Sequence, residues 1–323
     1  MEWGNVCDRP LINHLLITCA VGTLRNLRPS HPSRLNMNEL ERTLMTISCR
    51  DTDVIPKVTN AGQVESFKGE RVQVMHNGLK VVYGGYHGDW MAHVIRGLVG
   101  HHEPQEELLF HVLMRYVRNK SVFVELGAFW AYYTQWFLKA IPGSSALCVE
   151  PDYSNLEIGK RNASLNESLD QVRFINAWVG GKKLDSYAAT TETSNSPVKL
   201  PMLDFSAILE YFPNECIEVL HMDTQGAELP FLQSIDLLAV ENRKLRFVMV
   251  STHHSSISGS KSTHQDCVET LRHLGASILV EHDVVESYSG DGLILASMFH
   301  EDKNLWFPEI SRNRAETSLF KDS

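Results

Sequence analysis

From residue 103 onward the chain alternates two hydrophobic rhythms, and the alternation predicts a largely parallel sheet with helices on both faces. Leu108, Leu109, Val112, Leu113 and Tyr116 recur at helical spacing behind Glu103-Pro104, a pair that suits a helix start. Ser121 to Leu126 is a largely apolar run of strand length, and Tyr132 to Ala140 returns to helical spacing. Ala146 to Glu150 reads as a second strand, Leu156, Ile158 and Leu165 mark the next helix, and Val172 to Ala177 reads as a third strand. The polar stretch Lys182 to Lys199 holds Thr, Ser and Asn in place of apolar residues and is expected to be a mobile surface loop. Asp204 is placed to cap a short helix from Phe205 to Tyr211, after which Ile217 to Met222 and Phe247 to Ser251 read as strands four and five. Ser277 to Glu281 and Leu293 to Ser297, parted by a turn rich in Ser and Gly, read as a closing antiparallel pair. The expected fold is a doubly wound α/β sheet of seven strands, mostly parallel, with an antiparallel last strand.

The first hundred residues have a different texture. Residues 1–60 hold Pro10, Pro29, Pro32 and Pro56 and only modest helical periodicity. Leu15 to Leu24 is an apolar run expected to form a buried helix; a bilayer needs about 20 such residues. Glu2 and Asp8 stand where a signal peptide would carry positive charge. Val72, Val74, Val81, Val82 and Tyr83 flank Asn77-Gly78, which predicts a hairpin. Gly84 to Trp90 reads as a loop. The chain therefore divides, on this reading, into an appendage over 1–100, helical and then a hairpin, a main domain over 101–300 and a tail over 301–323. The appendage is the expected seat of substrate specificity.

Composition narrows the classes. The formal net charge is −9 with a sequence pI near 5.9, which argues against a sequence-independent grip on nucleic acid, since that needs a basic face. Cys7, Cys19, Cys49, Cys148, Cys216 and Cys267 lack CxxC spacing and read as reduced thiols in a reducing compartment. A cytoplasmic protein without a membrane segment is expected; oligomeric state is not legible in the sequence.

In an open parallel sheet, ligands bind outside the carboxyl ends of the strands, where strand order reverses. Two features there reinforce each other. Glu125-Leu-Gly127-Ala128-Phe129-Trp130-Ala131 gives a small-residue turn between strand one and its helix, which lets a ligand approach the backbone. Glu150 ends strand two, placed to accept both hydroxyls of a ribose. Together they predict a nucleoside cofactor. A dinucleotide wants three glycines beneath its pyrophosphate, whereas here one glycine precedes Phe129 and Trp130. That favours S-adenosylmethionine over NAD.

Several further motifs appear in order over residues 103–297: Glu103-Pro104, Glu125-Leu-Gly-Ala, Tyr133-Thr134, Val149-Glu150-Pro151, Lys160-Arg-Asn162 to Leu165-Asn166, Leu203-Asp204, and Met222-Asp223-Thr-Gln-Gly226-Ala227-Glu228-Leu229. In these the chain resembles the FkbM-type methyltransferases. The resemblance implies a class I methyltransferase (Rossmann-like) fold and O-methylation of a hydroxyl on a saccharide or secondary metabolite. It implies that Glu125, Gly127, Ala128, Thr134, Glu150 and Ala177 line the cofactor site, with Glu103 beside the cleft. Phe129, Pro151 and Asp223 complete the expected cofactor set. The chain departs from the family in having Ala131 for glycine and Gln225 for glutamate. Residues 1–100 show no such resemblance.

Methyl transfer to a hydroxyl needs alignment and a way to lower the acceptor's pKa. Asp223 ends strand four, Thr252-His253-His254-Ser255-Ser256 follows strand five, and His282-Asp283 follows strand six. Two mechanisms compete. In the favoured one, His253 or His254 takes the acceptor proton and Asp223 orients substrate or base. In the other, a divalent metal sits on Asp223 with His253, His254 or His282, a donor set suited to a transition ion. Glu228 is expected in the first turn of the next helix, where its dipole favours an acid. His101 is expected to be solvated or to cap a helix. Tyr86, His87, Asp89 and Trp90 are either a substrate wall or loop anchors, and Ser255 to Thr263 a lid or a long surface loop. The expected partner is a small-molecule or saccharide acceptor, neither nucleic acid nor membrane. The alternatives are a non-catalytic adenosyl-binding module, suggested by Ala131 and Gln225, an N-methyltransferase, and an NAD-dependent oxidoreductase.

Overall fold

The computed structural model describes residues 39–191 and 193–320. The helix expected at Leu15 to Leu24, with Cys7 and Cys19, lies outside them. Helix α1 (Glu39–Ser48) leads to strands β1 (Val64–Phe67), β2 (Glu70–Val74) and β3 (Lys80–Val82), then α2 (Asp89–Gly97) and α3 (Pro104–Leu113). The alternating part follows: β4 (Val122–Leu126), α4 (Tyr132–Ala140), β5 (Ser145–Val149), α5 (Tyr153–Leu165) and β6 (Val172–Ile175). After β7 (Trp178–Val179), β8 (Leu184–Ala189) and β9 (Val198–Leu203) come α6 (Phe205–Leu209), β10 (Ile217–Met222), α7 (Glu228–Leu232) and α8 (Leu237–Glu241). The chain closes with β11 (Leu245–Thr252), α9 (Ser255–Ser258), α10 (Thr263–His273), β12 (Ser277–His282) and β13 (Gly292–Ser297).

The main sheet has seven strands in the order β12-β13-β11-β10-β4-β5-β6. β11, β10, β4, β5 and β6 pair in parallel, and β13 runs antiparallel between β11 and β12. This is the doubly wound, mostly parallel sheet with an antiparallel last strand expected from the sequence, and it is a class I methyltransferase fold. Sequence order reverses between β4 and β10, so the switch point lies at their carboxyl ends.

The strands are buried on both faces, which explains their nearly continuous apolar runs. Their side chains still alternate between two cores. Val122, Val124, Val248 and Val250 join Phe205, Phe231 and Leu271 of α6, α7 and α10, whereas Phe123, Phe247 and Met249 join Val94, Phe110 and Phe137 of α2, α3 and α4. Met75, Leu79 and Val81, beside β2 and β3, belong to this second core. The segment before residue 100 thus supplies interior side chains. Each such side chain, fully buried, contributes roughly 1.5–3 kcal/mol.

Several expectations change. The stretch Lys182 to Lys199 is not a free loop: β8 lies within it and pairs antiparallel with β9, which starts at its end, and β7 joins β9 in parallel. The polar composition suits β8, in which four successive positions face solvent, so no core-directed alternation marked it. The expected hairpin is a three-stranded meander, β1-β2-β3. Asn77-Gly78 does turn the second connection, while Lys68-Gly69, both at positive φ, make the first. Asp89 and Trp90 open α2 rather than ending a loop, and α3 stops at Leu113, short of Tyr116. Among the described residues, no helix is long and apolar enough to cross a membrane, and Cys49, Cys148, Cys216 and Cys267 are free thiols.

The turn after β4 is the tightest junction. Gly127 has φ 75°, and a Cβ built there would lie 1.7 Å from the Asp223 carbonyl oxygen. No side chain fits between these backbones. Ala131, at φ 55°, occupies the left-handed region where glycine sits without strain, at a cost on the order of 1 kcal/mol. The Gly127→Ala variant is expected to lose about 3 kcal/mol or more of stability, or not to fold, because β4 and β10 must part at the switch point. Urea unfolding followed by circular dichroism measures this, and a midpoint equal to wild type would refute the steric account.

Candidate active site

Two half-sites meet at the carboxyl edge of the sheet. The first is built on β4 and β5. The amides of Gly127 and Ala128 donate to the Val149 carbonyl at 2.9 and 3.1 Å, which folds the turn against β5. The Phe129 amide then donates to Glu150 Oε2 at 3.0 Å, and the Asp152 amide to Glu150 Oε1 at 2.8 Å. Glu150 is 6 % exposed, and burial pushes its carboxyl up to about 8 despite these two donors. Its carboxylate has lone pairs to spare for further hydroxyl donors. Asn176 holds the following segment by donating to the carbonyls of Glu150 and Pro151, and Ala177 beside it is fully buried.

Glu125 is turned inward. One of its oxygens accepts from the amide and the hydroxyl of Thr134 in the first turn of α4. Burial raises its carboxyl to about 7. It braces the turn from beneath. Asp152 caps α5 through the amides of Ser154 and Asn155, and its other oxygen accepts from the hydroxyls of Thr191 and Thr193 and the amide of Thr193. The β8–β9 hairpin is thus clasped to the start of α5. Over the turn, Tyr86 stacks on Trp130 with ring centroids 4.6 Å apart, and His87 packs edge-on to Phe129. Of the two readings of this loop, Tyr86 fits the anchor.

The second half-site is carried by β10, β11 and the approach to β13. Its centre is His253, a 3 % exposed side chain one residue past β11. Its Nε2 lies 3.1 Å from Asp223 Oδ1 and 3.5 Å from Asp291 Oδ1, and its Nδ1 lies 2.9 Å from Glu228 Oε1. Register explains the Asp291 contact: Thr252 pairs with Gly292 across β11 and β13, so the residues just beyond that pair, His253 and Asp291, meet. Burial alone would lower the imidazole's pKa, but the carboxylates of Glu228, Asp291 and Asp223 outweigh it and hold His253 well above its usual value. The same pairing holds Asp223 and Glu228 below theirs against burial. Asp291 differs, because burial, with Asp223 adding to it, pushes its carboxyl up to about 7. Glu228 also accepts from the amides of Thr224 and Gly226, tying the turn after β10 to His253.

The two neighbouring histidines divide. His254 directs Nδ1 to Ser256, capping α9, and stacks on Phe320 at 4.4 Å. His282 places Nδ1 2.9 Å from the Asp283 carbonyl, and burial lowers it to about 4. Only His253 joins Asp223 through the contacts seen. Gln225 is exposed, at φ 54° in the turn after β10. Glu103, the N-cap residue of α3, accepts from the Tyr133 hydroxyl at 3.0 Å and faces His102 Nε2 at 3.2 Å.

Three features escaped the sequence. Asp291 precedes a strand rather than following one. His221, in the middle of β10, bonds Glu106 through Nε2 at 2.6 Å, and Ser251 donates to the other oxygen of Glu106 at 2.7 Å. His101, expected to be solvated or capping, is completely buried against Glu107. All three glutamates of the run Glu103 to Glu107 are buried, Glu106 against β10 and β11, Glu107 against His101 and His102, and Glu103 against Tyr133 and His102.

The sequence profile described as "Methyltransferase FkbM domain" matches residues 10–278. It thus takes in most of the first hundred residues, which showed no resemblance when read alone. No curated protein matches the chain. Among solved structures, an O-methyltransferase from Bacillus cereus in complex with SAH is 13% identical, with 60% of this chain and 79% of that one covered and a TM-score of 0.36. A B. subtilis tRNA methyltransferase, TrmK, is 13% identical, with 60% and 67% covered and a TM-score of 0.36. A protein of the NADB-Rossmann superfamily from Streptococcus agalactiae is 11% identical, with 64% and 71% covered and a TM-score of 0.37. Likenesses this faint say nothing about acceptor or activity. The profile match, which spans well over half of the chain, shows that this protein belongs to the FkbM methyltransferase family.

Proposed function

We propose that the protein transfers the methyl group of S-adenosylmethionine to a hydroxyl of a small polar acceptor, of saccharide or secondary-metabolite type. The observation that carries this reading is the meeting of a ribose-ready carboxylate, Glu150, with a carboxylate-ringed imidazole, His253, on either side of the switch point. In this reading Glu150 accepts the ribose hydroxyls, and the backbone from Gly127 to Phe129 carries the cofactor's amino-acid tail. Glu103, Thr134, Pro151 and Ala177 border the same cleft, Asp223 faces both cofactor and acceptor, and Glu125 supports the turn through Thr134.

The carboxylates around His253 favour a different proton acceptor from the histidines. An imidazole whose two nitrogens both face carboxylates at close range is held in its charged form and is no base. His253 then acts as a fixed cation, held by Glu228, that stabilises an anionic neighbour. The acceptor's proton passes to Asp291, whose carboxyl near 7 suits transfer at neutral pH, with Asp223 orienting the hydroxyl. His254 and His282 keep structural roles. A metal on Asp223 and His253 is disfavoured because a ligand nitrogen must be deprotonated. An amine acceptor is disfavoured too, since Asp223, Asp291 and Glu103 would hold it as the non-nucleophilic ammonium. The free thiols Cys49, Cys148, Cys216 and Cys267 fit a reducing, cytoplasmic setting.

Titration calorimetry with S-adenosylhomocysteine tests the cofactor half. Ribose hydroxyls donating to Glu150 favour its ionised form, so a carboxyl near 8 in the free protein should release nearly one proton on binding at pH 7. Calorimetry in buffers of different ionisation enthalpy reads this release. Glu150→Gln should abolish it and weaken binding about tenfold or more. Binding that is independent of buffer in the wild type would remove Glu150 from the ribose.

For the acceptor half, labelled S-adenosylmethionine is offered with a panel of sugars, polyols and phenols. Asp291→Asn should lower transfer at least about a hundredfold while leaving the S-adenosylhomocysteine affinity unchanged. Transfer surviving in both Asp291→Asn and His253→Gln would sink the assignment, and cofactor binding without turnover of any acceptor would favour a binding module.

A further inference from the structure

Behind the cleft, on the far side of His102 from Glu103, lies a second group of buried donors that the proposed transfer does not use. His76 follows β2, His101 lies in the link between α2 and α3, and Glu107 belongs to α3. Each contributes one ligand atom, and these atoms all lie within 4.8 Å of one another. The residues are 2 %, 0 % and 0 % exposed. The hydroxyl of Tyr132, also fully buried, lies 3.1 Å from His76 Nδ1 and 3.4 Å from Glu107 Oε2, and His76 Nδ1 lies 3.9 Å from that same oxygen. His101 Nδ1 closes on Oε2 as well. Four donors bound tetrahedrally at about 2.0–2.1 Å from an ion stand about 3.3–3.4 Å from one another. The spacings among His76, Tyr132 and Glu107 scatter around that edge length.

The backbone and the surrounding groups are arranged for this convergence. A Cβ on Gly100 would lie 2.3 Å from the His76 amide nitrogen, so only glycine lets the link pass the end of β2. The His76 amide donates to the Gly100 carbonyl at 2.9 Å, and the rings of His76 and His101 stack with centroids 4.2 Å apart. Glu107 is oriented from behind: its Oε1 lies 2.6 Å from His102 Nδ1 and accepts from the His102 amide at 2.7 Å, which leaves Oε2 for the histidine pair. Support of this kind, one shell out, is what holds metal ligands in place.

We propose that His76, His101, Glu107 and Tyr132 bind one zinc ion as a structural staple. Two imidazoles favour a transition ion over magnesium or calcium, and the absence of exposure gives the closed coordination of a structural site. The stacked rings turn about their Cβ–Cγ bonds so that both Nδ1 lone pairs meet the ion. The ion then ties the β2–β3 turn and the α2–α3 link to α3 and α4. The assignment is independent of the methyl acceptor.

The test uses the full chain, expressed and purified without a metal-affinity step and without chelator. Elemental analysis should find about one zinc per chain, and stripping it with a strong chelator should lower the melting temperature, reversibly on adding zinc chloride. His76→Gln and His101→Gln should lose the metal and the chelator sensitivity. Should those variants fail to fold, cobalt exchanged into the wild type provides a second reading, with the visible absorption bands of a tetrahedral site expected. Folded wild-type protein that takes up no zinc or cobalt from an equimolar solution overturns the proposal. So does zinc retained at full stoichiometry in the folded double variant, which would place the ion elsewhere.

Discussion

The approach of two backbones without an intervening side chain, Gly127 against the Asp223 carbonyl, is the constraint on which the rest of the cleft depends. The Asp223 amide donates to the Leu126 carbonyl at 2.9 Å, so the sheet's hydrogen bonding continues into the point where β4 and β10 diverge. Because the chains touch there, the turn after β4 is forced upward and back toward β5. Its amides then reach Val149 and Glu150, and Trp130 is thrown under Tyr86. Asp223 in its turn is fixed at the mouth of the cleft beside His253. The cofactor half and the acceptor half share one contact.

Much of this was legible in the residues, for a plain reason. A strand buried on both faces must be apolar, so β4, β5 and β10 announce themselves, and Glu125, Glu150 and Asp223 stand out as carboxylates at their ends. The places that misled are those where burial and polarity part company. β8 lies outside either core, so nothing demanded apolar residues of it. Glu106 and Glu107 carry no local sign of their burial, since an acidic first turn is the usual solvated start of a helix. Here its partners and those of the N-cap Glu103, namely Tyr133, His221 and His102, come from distant parts of the chain that only the fold brings together.

Those three glutamates give α3 an unusual standing. A carboxylate buried without partners is costly, and one with two or three well-placed donors is held firmly. Glu106 clasps His221 and Ser251 of the central strands, Glu107 gathers His101 and His102, and Glu103 meets Tyr133 and His102. The helix is consequently positioned by these directional bonds together with the apolar contacts of Leu109, Phe110 and Leu113, which share the face of Glu106. Such a helix has little freedom to slide.

The antiparallel course of β13 separates what can vary from what cannot. Glu150, Asp223 and His253 emerge from strands whose register the sheet dictates, so the distances among them are inherited from the fold itself. Asp291 is set beside His253 by the β11–β13 register, whereas the rest of the nine-residue passage between His282 and Gly292 lies outside the sheet. Insertions or deletions in that passage would change what stands before Asp291 while the spacing of Glu150, Asp223 and His253 stayed as it was. A lineage of such proteins could in this way change its diet without rebuilding its hearth.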